Sequence, residues 1–391
     1  MSTILPDQLA KYPAISDLRK RAKRRLPLVA WEYLDMGTGD DVAVSRNRTG
    51  LDNVTLLPQF LKGEQTQNTE TKLFGRTYAF PFGVAPIGLT GLMWPNAEII
   101  LAKAAAHYSF PYCLSTAATQ TPETIGTVVG NMGWFQLYPP RDEAICDDLL
   151  KRARDSGFHT LVVTADVPAA SRRERASRAG LRLPPRITPR FVWQAVRRPA
   201  WAIATLRHGL PRLRMVEKYV NSEGTLNSAS LTNASQFVGE RFGGTLSWAY
   251  LQRVRDLWNG PIVLKGLLHP NDTEKAIGMG IDGIGVSNHG GRQFDGAPAA
   301  IDALPGIMQQ VAGRAAIVFD SGMRSGLDVI RALALGADFV LLGRAFMFGV
   351  AAFGEQGGAH VAEILLADLK TNMAQLGVTT IEEIKQLHQE T

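Results

Sequence analysis

The feature that most constrains the fold of this chain is a series of eight short apolar runs beyond residue 80: "FPFGVAP", "PYCLST", "GWFQLY", "TLVVTAD", "PIVLKG", "GIGVSNH", "AIVFDSG" and "FVLLGR". Each is nearly continuous in apolar character and bounded by turn residues, as strands buried on both faces of a parallel sheet must be. Helical patterns such as "NAEIILAKAAAHY", "AICDDLLKRARDSG", "NDTEKAIGMG" and "GLDVIRALALG" fall between most of them. That alternation specifies an α/β architecture, and eight units favour a closed (β/α)8 TIM barrel. An open doubly wound sheet is the competing arrangement, but no glycine fingerprint opens the first unit. A weak internal echo, glycine ahead of the strand in "DSGFHTLVVTAD", "GMGIDGIGVSNH" and "ALGADFVLLGR", suits helices that end in a left-handed residue.

The rhythm breaks once. Strand four ends near Asp166 and strand five begins near Ile262, so the chain reads as one barrel unit over residues 1–391, with a helical extension at its N-terminus and an insertion over 174–244. The insertion includes the polar run "NSEGTLNSASLTNASQ", and the chain re-enters the barrel through the helical pattern "SWAYLQRVRDLWNG". Charge is concentrated in the same place. Residues 171–218 hold 13 Arg and Lys against 2 Glu, whereas the whole chain has 42 basic and 36 acidic residues, leaving 29 against 34 elsewhere.

Two cysteines, Cys113 and Cys146, are too few for a disulfide framework and lack metal spacing, so buried thiols and no metal are expected. No apolar stretch reaches the ~18 residues a spanning helix needs. The first residues show no apolar core followed by a small-residue cleavage site, and cytoplasmic residence is expected.

Barrel enzymes gather their chemistry at the C-terminal ends of the strands. Those ends here carry Pro86, Ser115, Gln136 with Tyr138, Thr164 with Asp166, Lys265, Ser287 with His289, Asp320, and Gly343 with Arg344. After strands seven and eight, "DSGMRSG" and "GRAF" supply Gly322, Arg324, Gly343 and Arg344 in the loops where barrels often bind phosphate. The competing reading makes those glycines tight turns and those arginines surface charges. Lys265 would place an ammonium in the barrel mouth, a need that a reducible flavin answers, with a structural carboxylate as the competing reading. His289 and Arg292, in "SNHGGRQFDG", join a group that takes a proton near neutral pH to one that grips a carboxylate, a pair suited to a 2-hydroxy acid.

With these residues in view, "SNHGGRQFDG" closely resembles the signature of the FMN-dependent 2-hydroxy acid oxidase and dehydrogenase family, which includes bacterial L-lactate dehydrogenase and mandelate dehydrogenase. "EYLDMGTGDD", "APIGLTG", "LSTA", "FQLY", "TADVPAASRRER", "VLKG", "FDSGMRSG" and "LLGRA" follow the family order. The resemblance implies FMN as cofactor and His289 as catalytic base, with Asp166 hydrogen-bonded to it. It implies Arg173 and Arg292 on the substrate carboxylate, and Tyr33 and Tyr138 lining the pocket. It places Pro86, Ile87, Gly88, Ser115, Gln136 and Thr164 around the flavin ring, with Lys265 at N1 and Ser287 beside it. Asp320, Gly322, Arg324, Gly343 and Arg344 would hold the ribityl chain and phosphate. Three positions depart from commoner members: Ile87 replaces a threonine, Gly88 an alanine usual in the oxidases, and Ala117 the tryptophan of glycolate oxidase.

Within the insertion, "ITPRFVWQAVRRPAWAIATLRHGLPRLRM" interleaves Phe191, Trp193, Val196, Trp201, Ile203 and Leu206 with arginines, a composition suited to a membrane interface. A similar insertion anchors the mandelate dehydrogenase branch, which implies peripheral attachment at the inner face of the cell membrane and electrons passed to quinone. A lid on the barrel and a subunit contact are the competing uses, and nucleic-acid binding lacks a recognition fold. The family implies a homotetramer. The functional alternatives are a soluble oxidase that makes hydrogen peroxide from O2 and a non-catalytic FMN-binding module.

Overall fold

The computed structural model describes residues 6–181, 188–209, 211–222, 244 and 246–387. The run 223–236 of the insertion lies outside them. Four helices open the described chain: α1 (Pro6–Lys11), α2 (Ile15–Arg25), α3 (Leu28–Asp35) and α4 (Val42–Asn53). A two-stranded antiparallel hairpin follows, β1 (Thr71–Leu73) and β2 (Arg76–Tyr78). Eight parallel strands then close a barrel in the order β10-β3-β4-β5-β6-β7-β8-β9: β3 (Phe82–Val84), β4 (Tyr112–Ser115), β5 (Gly133–Leu137), β6 (Thr160–Thr164), β7 (Ile262–Leu267), β8 (Gly283–Val286), β9 (Ala316–Phe319) and β10 (Phe339–Leu342). The fold is thus a (β/α)8 TIM barrel, and all eight apolar runs supply its strands. Gly157, Gly280 and Gly336, the echoed glycines, all take positive φ ahead of β6, β8 and β10.

Because side chains alternate across a strand, residues two apart face the same way. The barrel interior uses this rule repeatedly. Cys113, Trp134, Val162, Val263, Val318 and Leu341 form one buried apolar cluster inside the barrel. Two residues further along the same strands stand Ser115, Gln136, Thr164, Lys265, Asp320 and Gly343. An apolar layer therefore gives way to a polar one toward the strand C-termini, and the polar layer is the floor of the site.

The hairpin leaves no apolar run in the sequence, because its strands, TKL and RTY, mix charged and apolar residues. It plugs the N-terminal end of the barrel. Tyr78 packs against Trp134 and Phe339, with ring centroids at 6.4 and 5.5 Å. The Tyr78 hydroxyl accepts a 3.1 Å bond from Trp134 Nε1, and both rings are fully buried. Both cysteines are free and buried, as expected.

The insertion leaves the barrel through the short helix Glu174–Ala179 and continues through Pro189–Val196, Pro199–His208 and Arg214–Ser222. The helices Pro189–Val196 and Pro199–His208 pack inward through Trp201, which lies edge-on to Phe191 and donates its Nε1–H to the Leu92 carbonyl at 3.3 Å. Gln194 accepts from the Val29 N–H, and Arg198 donates to the Leu26 carbonyl, so the pair is seated on the N-terminal helices. No described helix is long and apolar enough to cross a membrane.

Replacing Tyr78 by Phe keeps the plug's packing but leaves the buried indole N–H without an acceptor. The expected cost is about 1–3 kcal/mol. Denaturant titration of Tyr78→Phe beside the parent checks it, and equal midpoints would show that the hydroxyl contributes nothing.

Candidate active site

The polar layer opens on a cavity of about 430 Å³ lined by Tyr33, Pro86, Ile87, Gly88, Tyr138, Thr164, Arg173, Lys265, His289, Arg292, Asp320, Gly322, Arg324, Gly343 and Arg344, among others. The candidates that do not reach its wall stand directly behind it. Ser115 Oγ donates to Gln136 Oε1 at 2.8 Å, and Gln136 Nε2 donates to Thr164 Oγ1 at 3.0 Å, a buried chain that fixes the amide's orientation. Ser287 Oγ accepts from Lys265 Nζ at 2.8 Å. Asp166 lies behind His289.

His289 follows β8 with φ 57°, a left-handed conformation rare for a residue with a Cβ. Strain of this kind persists only where the surroundings enforce it. Here the Ser287 hydroxyl accepts the His289 N–H at 3.0 Å, and Asp166 Oδ1 meets Nδ1 at 2.9 Å. Burial would raise the Asp166 carboxyl, but His289 and Lys265 outweigh it and hold the group below the usual carboxylate range. An ionised carboxylate at Nδ1 fixes the proton on that nitrogen and leaves Nε2 as the basic one.

Gly266 makes this pairing possible. Its φ is +106°, and a Cβ there would sit 2.5 Å from both Cβ and Cγ of Asp166. The "VLKG" motif thus brings the Lys265 ammonium and room for Asp166 together on one strand.

Lys265 is buried and pairs with Asp320 at 2.9 Å. The structural-carboxylate reading of Lys265 is therefore realised, and it does not displace the other, because the pair still lines the cavity. Burial lowers the ammonium's proton affinity, while Asp320 and Asp166 more than restore it, leaving it above the ordinary lysine value. Tyr138 is pushed up to about 12, by burial and by Asp166.

The arginines are the least expected part of the geometry. Arg324 and Arg344 are not surface charges: burial pulls each down to about 10, and each also feels a neighbouring arginine. Arg292 falls to about 9, by burial and by Arg173 and Arg344. Their partners are mostly carbonyls at the end of α3. Arg292 Nη1 donates to Tyr33 and Met36 at 2.9 and 3.2 Å. Arg344 donates to Gly290 and Met36 at 2.8 and 2.7 Å. Carbonyl oxygens orient guanidinium groups without neutralising them, so buried positive charge remains for an anionic ligand to meet.

Sequence reasoning passed over two supports. Ser321, at φ 95°, accepts from the Asn288 and Gly290 N–H groups and donates to Asp320, tying the β8 and β9 loops together. Asn47 and Asn288 exchange reciprocal 2.8 Å amide bonds between α4 and the His289 turn. Asn288 was visible in "SNHGG", but its partner lies far away in sequence.

The family model for FMN-dependent dehydrogenases matches residues 22–391. The chain belongs to the FMN-dependent dehydrogenase family. L-lactate dehydrogenase of Pseudomonas paraeruginosa is 39% identical to it over 372 residues, 95% of this chain and 96% of the relative. L-lactate dehydrogenase of Stenotrophomonas maltophilia is 38% identical, covering 95% of this chain and 97% of the relative. Among solved structures, the monotopic membrane protein (S)-mandelate dehydrogenase superposes with a TM-score of 0.88 at 32% identity, over 95% of this chain and 97% of that one. Mandelate oxidase superposes at 0.80, also with 32% identity, over 96% and 97%. Members of this family are flavoenzymes, and this chain is an FMN-dependent oxidoreductase. The donor set fits that cofactor: Arg324, Arg344 and the buried Lys265 line the cavity with Gly322 and Gly343, where an anionic phosphate and a polar ring can approach the backbone.

Gly266→Ala is expected to push Asp166 away from His289 and to lower the thermal midpoint. A crystal structure of the variant that kept the 2.9 Å contact would count against this account of the motif.

Proposed function

We propose that the protein oxidises an (S)-2-hydroxy acid, lactate-like or mandelate-like, to the 2-oxo acid, with FMN as immediate oxidant and a membrane quinone as onward acceptor. The single observation that carries the reading is the His289–Asp166 pair, 2.9 Å apart, opening on the same cavity as Arg173, Arg292, Tyr33 and Tyr138. Such a cavity suits a small anion that also has a proton to lose.

Pro86, Ile87, Gly88, Ser115, Gln136, Thr164, Lys265 and Ser287 would hold the flavin ring. Asp320, Gly322, Arg324, Gly343 and Arg344 would hold the ribityl chain and phosphate. When bound, FMN supplies the two-electron acceptor for the substrate's α-carbon. His289 Nε2 takes the substrate proton, and Asp166 stabilises the imidazolium that results. Arg173 and Arg292 grip the carboxylate and so hold the substrate anion in the pocket. The Tyr33 ring lies between them, 5.9 Å from Arg173 and 5.0 Å from Arg292, and both tyrosines close the pocket around the substrate.

Anaerobic mixing of the holoenzyme with L-lactate and with (S)-mandelate tests the reaction and the substrate's side chain together through flavin absorbance. His289→Gln should keep its yellow colour while flavin reduction slows by roughly 10²–10⁴-fold, the usual contribution of a positioned base. Reduction at the parent rate in that variant would remove His289 from the chemistry.

The membrane part of the proposal rests on the outer face of the insertion helices. Trp193 is 60% and Leu206 85% exposed, with Val196 and Ile203 also outward. Arg190, Arg197 and Arg207 are exposed on the same two helices, and Arg197 stacks on Trp193 at 4.5 Å. An apolar face bordered by cations suits anionic lipid headgroups. The likeness to a monotopic membrane enzyme supports the same reading. Wild-type protein should sediment with phosphatidylglycerol vesicles at low salt, and Trp193→Ser combined with Leu206→Ser should leave it in the supernatant. Wild-type protein that stays wholly in the supernatant sinks the attachment.

A further inference from the structure

We infer that Arg175 is a positioning residue for the substrate carboxylate: it latches the segment that carries Arg173 onto α3, and so sets the spacing between Arg173, Tyr33 and Arg292. The inference rests on the 2-hydroxy acid reading above.

The clamp has a mechanical problem before any substrate arrives. Arg173 and Arg292 must stand close together in a buried pocket, and Arg173 already depresses the proton affinity of Arg292. Like charges at low dielectric repel strongly, so an untethered loop would carry Arg173 outward. Its own backbone adds to the difficulty. Arg173 has φ 47° and ψ 54°, a left-handed conformation that residues other than glycine seldom adopt. Among the described residues, Arg173 makes one side-chain hydrogen bond, from Nε to Ser171 Oγ at 3.1 Å, two positions back on the same loop. Nothing in that contact ties the loop to the barrel.

The next two residues supply the tie. Glu174 accepts the Gly39 N–H at 3.0 Å. The Arg175 guanidinium then reaches three carboxylates at once: Glu32 at 2.6 Å, Asp35 at 3.3 Å, and Asp41. Glu32 and Asp35 flank Tyr33 on α3, so the latch grips the helix at the turn that presents the clamp's tyrosine. Asp35 is held in turn by Arg19 of α2, through bonds of 2.7 and 2.9 Å. The same end of α3 accepts Arg292, at the Tyr33 and Met36 carbonyls. Tyr33 and both carboxylate-binding arginines are therefore referenced to one short helix, and Arg175 is the link on the Arg173 side. The four groups are mostly sheltered, with Arg175 26% exposed and its partners less so, which sets this network apart from a solvated surface pair.

A positioning role for carboxylate binding has a signature that a general structural role lacks. In Arg175→Met holoenzyme, KM for L-lactate or (S)-mandelate should rise roughly tenfold or more while kcat stays within about threefold, the pattern of lost ground-state binding. Titration of the oxidised flavin's absorbance should show a similar weakening for pyruvate or benzoylformate, and little change for neutral (S)-mandelamide, which lacks the carboxylate. Arg175→Lys, able to meet one or two of the three carboxylates, should fall between parent and Met. If Arg175→Met does not fold, Glu32→Gln combined with Asp41→Asn loosens the latch from the other side and should give the same split. Unchanged KM, a fall in kcat at constant KM, equal weakening of the anionic and neutral ligands, or loss of bound FMN would each overturn the inference. Wild-type holoenzyme that no 2-hydroxy acid reduces would overturn the reading beneath it instead.

Discussion

Strand alternation governs this molecule. A residue that faces the barrel axis is followed, two positions later, by another that faces the same way, and five strands use that step to pass from an apolar residue to a polar one. Burial of the first layer fixes the register, because a slip of one residue would send every inward side chain outward. Once the register is fixed, Lys265, Asp320, Gln136 and Thr164 have no freedom about where they emerge. The polar floor follows from the apolar plug beneath it.

Above that floor the site is made of charge held in place by backbone. Arg292 and Arg344 are buried against carbonyls at the C-terminal end of α3, where helix carbonyls lack intrahelical partners and the macrodipole favours cations. The helix thus lends negative potential to hold two arginines without contributing a carboxylate that would compete with an anionic ligand. The carboxylates of the helix itself, Glu32 and Asp35, are engaged elsewhere and meet Arg175 together with Asp41. Arg292 and Arg344 keep their charge for a ligand, whereas that of Arg175 is matched.

Much of this was legible in the sequence, for physical reasons that differ by element. The eight barrel strands announce themselves because strands covered on both faces must be continuously apolar, and turn residues mark their ends. The strand-end residues could be read directly, since barrel geometry fixes where they point. His289 and Arg292 share a short glycine-rich turn, so their proximity needed no long-range information. The β1–β2 hairpin escaped because its strands, TKL and RTY, mix charged and apolar residues and form no apolar run. The pairing of Asn47 with Asn288, and of Arg175 with Glu32 and Asp41, escaped because contacts across more than a hundred residues leave no local pattern. "RRER" and "EYLDMGTGDD" held every partner in plain view, yet only the fold shows that they meet. The fate of Lys265 is intermediate: a partner of opposite sign was demanded by burial, but its identity as Asp320 came from the register of β7, β8 and β9.

The seating of Arg292 and Arg344 on α3 bears on how such an enzyme can be taken apart. The helix precedes the barrel in sequence and adds no strand to it, yet its backbone oxygens are the ledge on which both guanidinium groups rest. A shortened protein beginning at the hairpin would retain all eight staves and lose that ledge. The N-terminal helical preface is thus part of the working unit, and through Ile15, Leu18, Ala22 and Leu26 it is part of the hydrophobic core as well.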